Sequence, residues 1–368
     1  EVVHDENLIL HADVQVQVVA NVTNGNGASE CHDTVLKPIP FARVQSGGQE
    51  YIAAGNGVVT IPNLSNNPVE VTSECRTEWF NVNNISGSDL TASVTVDSGE
   101  SAPLVLNQAG SDELVQSEAD ILYFAEEVRS FTLDYNLSFP TIANQVNFAC
   151  NANIDSSCNA YYDGNSINFY RAGGSCNNTG FGTVVHHEYG HHLVSVAGSG
   201  QNEYGEGAGD VMGVLISGDS RLAIGFYSGD CVGGLRNANN NCQYSSDCSS
   251  CGSAIHSCGQ LLSGMIWDIR EGFISAGVSE EILNGIFVNS ILLHNGSAID
   301  ESIVVDWLTL DDDDSSIFNG TPHYGLINSG CSLHGLFAPE VLLAEIRFLQ
   351  GFPEFVDPVY GAELVVWI

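Results

Sequence analysis

Positive charge is what this sequence has least of. Its 368 residues carry 9 Lys and Arg against 45 Asp and Glu, a formal net charge of −36, and Lys37 is its single lysine. Nucleic-acid binding sets Lys and Arg against phosphates, so that class is excluded. Docking onto anionic membranes is excluded on the same ground. No run of about 18 apolar residues occurs, so no membrane-spanning helix is expected. The first residues, Glu1-Val2-Val3-His4, hold neither a Met nor the apolar core of a signal peptide, and read as a processed terminus. Internal repeats are absent. The acidity is not that of a disordered chain, because 43% of residues are hydrophobic and 9% aromatic.

Eleven cysteines point to an oxidising, extracellular setting, and their odd number leaves at least one outside intramolecular disulfides. The acid excess fits either an ordinary secreted surface or adaptation to high salt. The run Asp311-Asp312-Asp313-Asp314 is a candidate Ca²⁺ site through hard oxygens, set against the commoner reading of such a run as a solvated face.

Residues 1–110 read as a small all-β sandwich. The strand signals are Asp13 to Ala20, with Val14, Val16 and Val18 on one side, then Gly57 to Ile61 and Val69 to Thr72, separated by turn residues. Cys31 and Cys75 are the only cysteines of this stretch, so their simplest partners are each other. Asp97 to Ser117 reads as a linker. From Glu118 to Tyr135 apolar residues recur at helical spacing. Strand-like runs follow at Gln145 to Ala149 and Ser166 to Tyr170. Helices are expected over Thr183 to Val196, Gly207 to Ser217, Gly259 to Glu271, Glu280 to Leu293 and Asp300 to Leu310. The whole is an α+β pattern. Residues 111–338 form the expected catalytic domain, and residues 339–368 an extended segment that begins a further β module.

The chemistry is carried by His187-Glu188-Tyr189-Gly190-His191, an H-E-x-x-H pattern. On a helix, His187 and His191 are four apart and share a face, so both imidazoles can hold one Zn²⁺. Glu188 then stands beside the metal as general base. His186 and His192 fall outside this register. A catalytic zinc site needs a third ligand. The sixth residue after His191 is Ala197, which argues against three histidines. Glu206 can complete a His-His-Glu set. Asp210, four residues on, can accept the second N–H of a ligand histidine. Cys248-Ser249-Ser250-Cys251 is a C-x-x-C, read in this setting as disulfide cysteines.

These stretches together resemble a gluzincin metallopeptidase of the fungalysin and thermolysin groups. His187-Glu188-Tyr189-Gly190-His191 is similar to the fungalysin zinc helix, and Gly205-Glu206-Gly207-Ala208-Gly209-Asp210 to its G-E-G-x-S-D segment. Asn159-Ala160-Tyr161-Tyr162-Asp163-Gly164 resembles the edge strand that pairs with bound peptide. Ile255-His256-Ser257-Cys258-Gly259 with Ile266-Trp267-Asp268 resembles the helix whose His stabilises the tetrahedral intermediate. The likeness spans roughly residues 115–335. It implies a thermolysin-like zinc peptidase domain with a β-rich first lobe and a helical second lobe. By the same resemblance Glu188 and His256 are catalytic, and His187, His191 and Glu206 hold the metal. Asp210 supports a ligand, while Asn159, Ala160 and Arg236 bind substrate. His323 and Tyr204 are alternative oxyanion groups. The interval from His191 to Glu206 is short for the thermolysin group.

The function this implies is a secreted, zinc-dependent endopeptidase acting on polypeptides as an added β-strand. Two alternatives stand beside it. One is a zinc aminopeptidase or amidase. The other is an extracellular structural or adhesive protein with a vestigial metallopeptidase domain. Oligomeric state is not legible in the sequence.

Overall fold

The computed structural model describes residues 12–245 and 248–341. The expected C-terminal β module lies almost wholly outside these residues.

Nine strands open the described residues: β1 (Val14–Thr23), β2 (Thr34–Pro38), β3 (Ala42–Ser46), β4 (Gln49–Ile52), β5 (Val58–Ile61), β6 (Val69–Thr77), β7 (Phe80–Asn84), β8 (Thr91–Val96) and β9 (Ser101–Val105). β1 is the centre of a four-stranded sheet. It pairs antiparallel with β2 and β5 and parallel with β9. Val14, Val16, Val18, Ala20 and Val22 are fully buried, the period of two that a half-buried strand demands.

Helix α1 (Glu113–Tyr135) follows, begun by Asp112, whose carboxylate accepts from the amides of Leu114 and Val115. Then come β10 (Phe148–Ile154), β11 (Ala160–Tyr162) and β12 (Ser166–Tyr170). These three join the earlier strands in an eight-stranded sheet of order β11-β12-β10-β7-β6-β3-β4, with β8 alongside β6. The joint is the parallel pairing of β10 with β7, Phe148 opposite Phe80. The sheet thus crosses the boundary expected at residue 110. One hydrophobic core runs from Val14 to Leu336, so the first 110 residues do not pack as a separate sandwich. The presumed linker Asp97 to Ser117 contains β9 and the start of α1 instead.

The remaining helices are α2 (Gly182–Ala197), α3 (Asn202–Ser217), α4 (Ile255–Ala276), α5 (Glu280–Leu293), α6 (Glu301–Asp311) and α7 (Tyr324–Ser332). Between α3 and α4 lie two short antiparallel strand pairs, Arg221–Leu222 with Arg236–Asn237 and Tyr244–Ser245 with Cys248–Ser249. The sequence pattern found α2, α5 and α6 to within a residue or two. It began α1, α3 and α4 several residues late and did not anticipate α7.

Four disulfides form: Cys31–Cys231, Cys158–Cys176, Cys242–Cys251 and Cys248–Cys258. Cys31 therefore does not pair with Cys75. The Cys75 thiol is buried and lies 3.3 Å from the Glu118 carbonyl oxygen, and Cys150 and Cys331 are buried thiols too.

Candidate metal centre

α2 is buried on nearly every side, packed against α1, α3 and α5. Its contact with α3 is set by glycine. A β-carbon on Gly190 would stand 2.7 Å from the Gly209 α-carbon, and one on Gly209 would stand 2.7 Å from His187 Nδ1. Only two glycines let the helix backbones approach this closely. That approach brings side chains from α2 and α3 to one point.

His187, His191 and Glu206 each offer a ligand atom there, all within 4.8 Å of one another. Their tautomers follow from the partners on the far side. His187 Nδ1 donates to Asp210 Oδ1 at 2.9 Å, and His191 Nδ1 donates to Gln201 Oε1 at 2.9 Å. Both Nε2 atoms therefore present lone pairs, at 3.3 and 3.7 Å from the Glu206 carboxylate oxygens. Glu206 Oε2 is buried and receives no hydrogen bond. Three acceptors turned toward one another could hold a cation between them, and two imidazoles with one carboxylate suit zinc.

Without metal, a proton substitutes. Burial works against a charged His187, yet the neighbouring carboxylates of Asp210 and Glu206 prevail and lift it to about 10. Burial would raise Glu206, but the nearby His187 brings it down to about 2. Burial lowers His191 to about 4. Metal binding must accordingly displace the proton of His187.

Glu188 is buried beside this cluster and faces the cleft, and burial raises it to about 7. His256, in the first turn of α4, directs Nε2 to within 3.3 Å of Glu206 Oε2, with its side chain 57% exposed. Arg236 approaches from the loop after α3. Its Nε and Nη2 grip the Asp210 carboxylate at 2.8 and 2.7 Å. Its primary role in the structure is thus to hold Asp210, while its side chain also borders the cleft.

The cleft's opposite wall is β11, the edge of the large sheet. Asn159 and Asp163 turn backbone groups inward, the former accepting from Tyr170 N and the latter donating to Ser166 O. By the alternation of an antiparallel ladder, Ala160 and Tyr162 face outward with unused backbone groups. Val184, Leu222, Ala223, Phe226 and Leu235 add an apolar side.

Two expected alternatives lie elsewhere. Tyr204 is buried and stacks on His294, ring centroids 3.9 Å apart, outside the cleft lining. His323 starts α7 and binds Asp311, with Nδ1 2.6 Å from Oδ1. Asp311 is thereby occupied with His323 and Thr321 rather than grouped with its neighbours. Asp312, half-buried, and the exposed Asp313 and Asp314 do bring carboxylate oxygens within 4.8 Å of one another. Gln201 was not singled out in the sequence. Its only signal there is proximity to Glu206, and its role depends on the tight turn between α2 and α3. Gln201 Nε2 donates back to the His191 carbonyl at 2.9 Å, which fixes both groups.

No family model and no curated protein matches the chain. Among solved structures it is similar to a precursor of protealysin, a metalloproteinase from Serratia proteamaculans, with a TM-score of 0.52. The match covers 70% of this chain and 87% of that one at 12% identity. Likeness at this identity is one of fold. It does not separate the fungalysin group from other metalloproteinases of that fold.

Proposed function

We propose that this chain is a secreted zinc endopeptidase that hydrolyses internal bonds of extended polypeptides. The observation that carries the reading is the convergence of three unshared acceptors, from His187, His191 and Glu206, beside a buried Glu188 and an open sheet edge. A metal held only for stability has no need of Glu188 in the cleft.

Zinc, when bound, supplies Lewis-acid polarisation and lowers the pKa of a water. The residues do the rest. Asp210 and Gln201 hold the two imidazoles in the tautomers that leave Nε2 free. β11 receives the substrate backbone as an added strand through Ala160. Glu188 takes a proton from the attacking water and delivers it to the leaving nitrogen. His256, at the start of α4 beside Glu206, donates to the developing negative charge of the scissile carbonyl, an arrangement worth several kcal/mol. Arg236 reinforces that donor side while anchoring Asp210. The disulfides fit an extracellular setting.

The test is casein cleavage by the wild type and by Glu188→Gln, with zinc content measured in both. Both should hold zinc and only the wild type should cut. A wild type that holds zinc and cuts no peptide ends the reading, and leaves a vestigial or purely structural site.

A further inference from the structure

The loop between β1 and β2, residues 24–33, reaches across the molecule to the loop 223–235, almost 200 residues later. That second loop supplies Ala223, Phe226 and Leu235 to the apolar side of the cleft. Ala223, Ile224 and Phe226 are buried at its start, whereas beyond them Tyr227 is 47% exposed and Val232 78%. The outer part of the loop, from Tyr227 on, is held mainly by polar and covalent ties.

Those ties converge on the β1–β2 loop. The Ala28 amide donates to the Ile224 carbonyl at 2.9 Å. The Asn26 carbonyl accepts from Thr183 Oγ1 at 2.8 Å, and that oxygen accepts from the Ala223 amide at 2.9 Å. Cys31 is bonded to Cys231. Glu30 completes the set. Its Oε2 accepts from Asn177 Nδ2 at 2.5 Å, Ser228 Oγ at 3.1 Å and the Gly229 amide at 3.2 Å. Asn177 in turn donates its other side-chain hydrogen to the Gly225 carbonyl at 2.9 Å, and its amide to the Phe226 carbonyl at 3.1 Å. An exposed carboxylate with three donors from two distant loops is a hub, not a solvated charge. The hydrogen bonds from Asn177 and the Gly229 amide hold it below its ordinary value.

We propose that Glu30 is a positioning residue for side-chain selection: it locks the Ser228–Gly229 turn and so fixes Phe226 as a wall for an apolar substrate side chain. This rests on the peptidase reading. Glu30 touches neither the metal ligands nor the cleft, so its removal alters selection and leaves the chemical step intact. The strap joins the first β-loop to the cleft, which gives the N-terminal strands a part in substrate choice.

The test uses matched peptides that differ only in carrying Leu or Gly beside the scissile bond. In Glu30→Ala, KM for the Leu peptide should rise about tenfold, the equivalent of one charge-assisted network lost. Its kcat and both constants for the Gly peptide should stay within about twofold. Glu30→Gln keeps an acceptor and should fall between. Hydrogen exchange at residues 223–235 should quicken in Glu30→Ala while that of α2 does not change. Equal effects on both peptides, a parallel fall in kcat, or unchanged exchange overturns the proposal. A wild type that cuts neither peptide overturns the peptidase reading itself, whereas an active wild type matched by Glu30→Ala on both overturns the strap alone.

Discussion

Asp210 Oδ1 lies 2.9 Å from His187 Nδ1, and this contact decides which nitrogen of the imidazole is offered to a metal. The same carboxylate is gripped by Arg236, so a charge buried to 1% exposure is balanced on one side by a guanidinium and on the other by the His187 imidazole. Arg236 thereby acts on His187 through Asp210.

Asp210→Asn should cut zinc affinity by about 10- to 100-fold, the usual cost of losing such a supporting carboxylate. It should also lower thermal stability, because Arg236 is left buried without its counter-charge, a loss of about 3 kcal/mol. Competition with a graded chelator measures the first effect and a thermal melt of the metal-free protein the second.

Gln201→Leu should weaken zinc binding by about tenfold, since His191 loses the acceptor that selects its tautomer. Stability should change little beyond the lost bond to the His191 carbonyl. A chelator titration that matches the wild type would show that His191 needs no partner.

Gly190→Ala should destabilise the fold by about 1–3 kcal/mol, because the new methyl meets the Gly209 backbone rather than a side chain that can swing away. The same displacement parts α2 from α3, so zinc affinity should fall with stability. Denaturant unfolding and metal analysis of one preparation check both. An unchanged midpoint would mean that the helices are free to separate.

Three carboxylates of α1 give the chain an unusual pH dependence. Burial raises Glu126 from 4.5 to about 8, Asp120 from 3.8 to about 7 and Glu118 from 4.5 to about 7. A group raised on folding contributes stability that is complete below its unfolded value and disappears as pH climbs through its folded value. The metal-free protein should therefore be more stable near pH 5 than near pH 9, the loss falling between about 5 and 8. At the acid end Asp210 acts in the opposite sense. Although burial opposes it, the Arg236 charge brings it down to about 2, so its contribution holds above 3.8 and fails as pH falls toward 2. Melting temperatures across pH should form a plateau near 4–5. In Glu126→Gln the decline above pH 6 should be shallower, and an identical slope in the variant would refute the assignment.

The spacing of His187 and His191 could be read directly, since a helix repeats every 3.6 residues and four positions bring side chains to one face. Burial periodicity likewise exposed β1, and the apolar rhythm of α5 and α6 set their limits closely. Helix starts were harder. α3 begins at Asn202 in a stretch rich in Gly, and α4 begins among cysteines, where local preference says little and packing decides. That the sheet continues across residue 110 was not legible for a related reason. Short strands with frequent turns look the same in a separate sandwich and in half of a larger sheet, and only the partner of β7 distinguishes them.

Local spacing and composition alone put His187 and His191 on one helix face with Glu188 beside them, and set the expectation that nucleic acid and membranes are not partners. Each rests on neighbours within a turn of helix or on totals over the whole chain. The tertiary structure decided everything that joins remote segments: the pairing of β7 with β10, the bond of Cys31 to Cys231, the grip of Arg236 on Asp210 and the reach of Glu30 to Ser228. Such contacts leave no period in the sequence, because their geometry comes from how helices and sheet pack around a shared core.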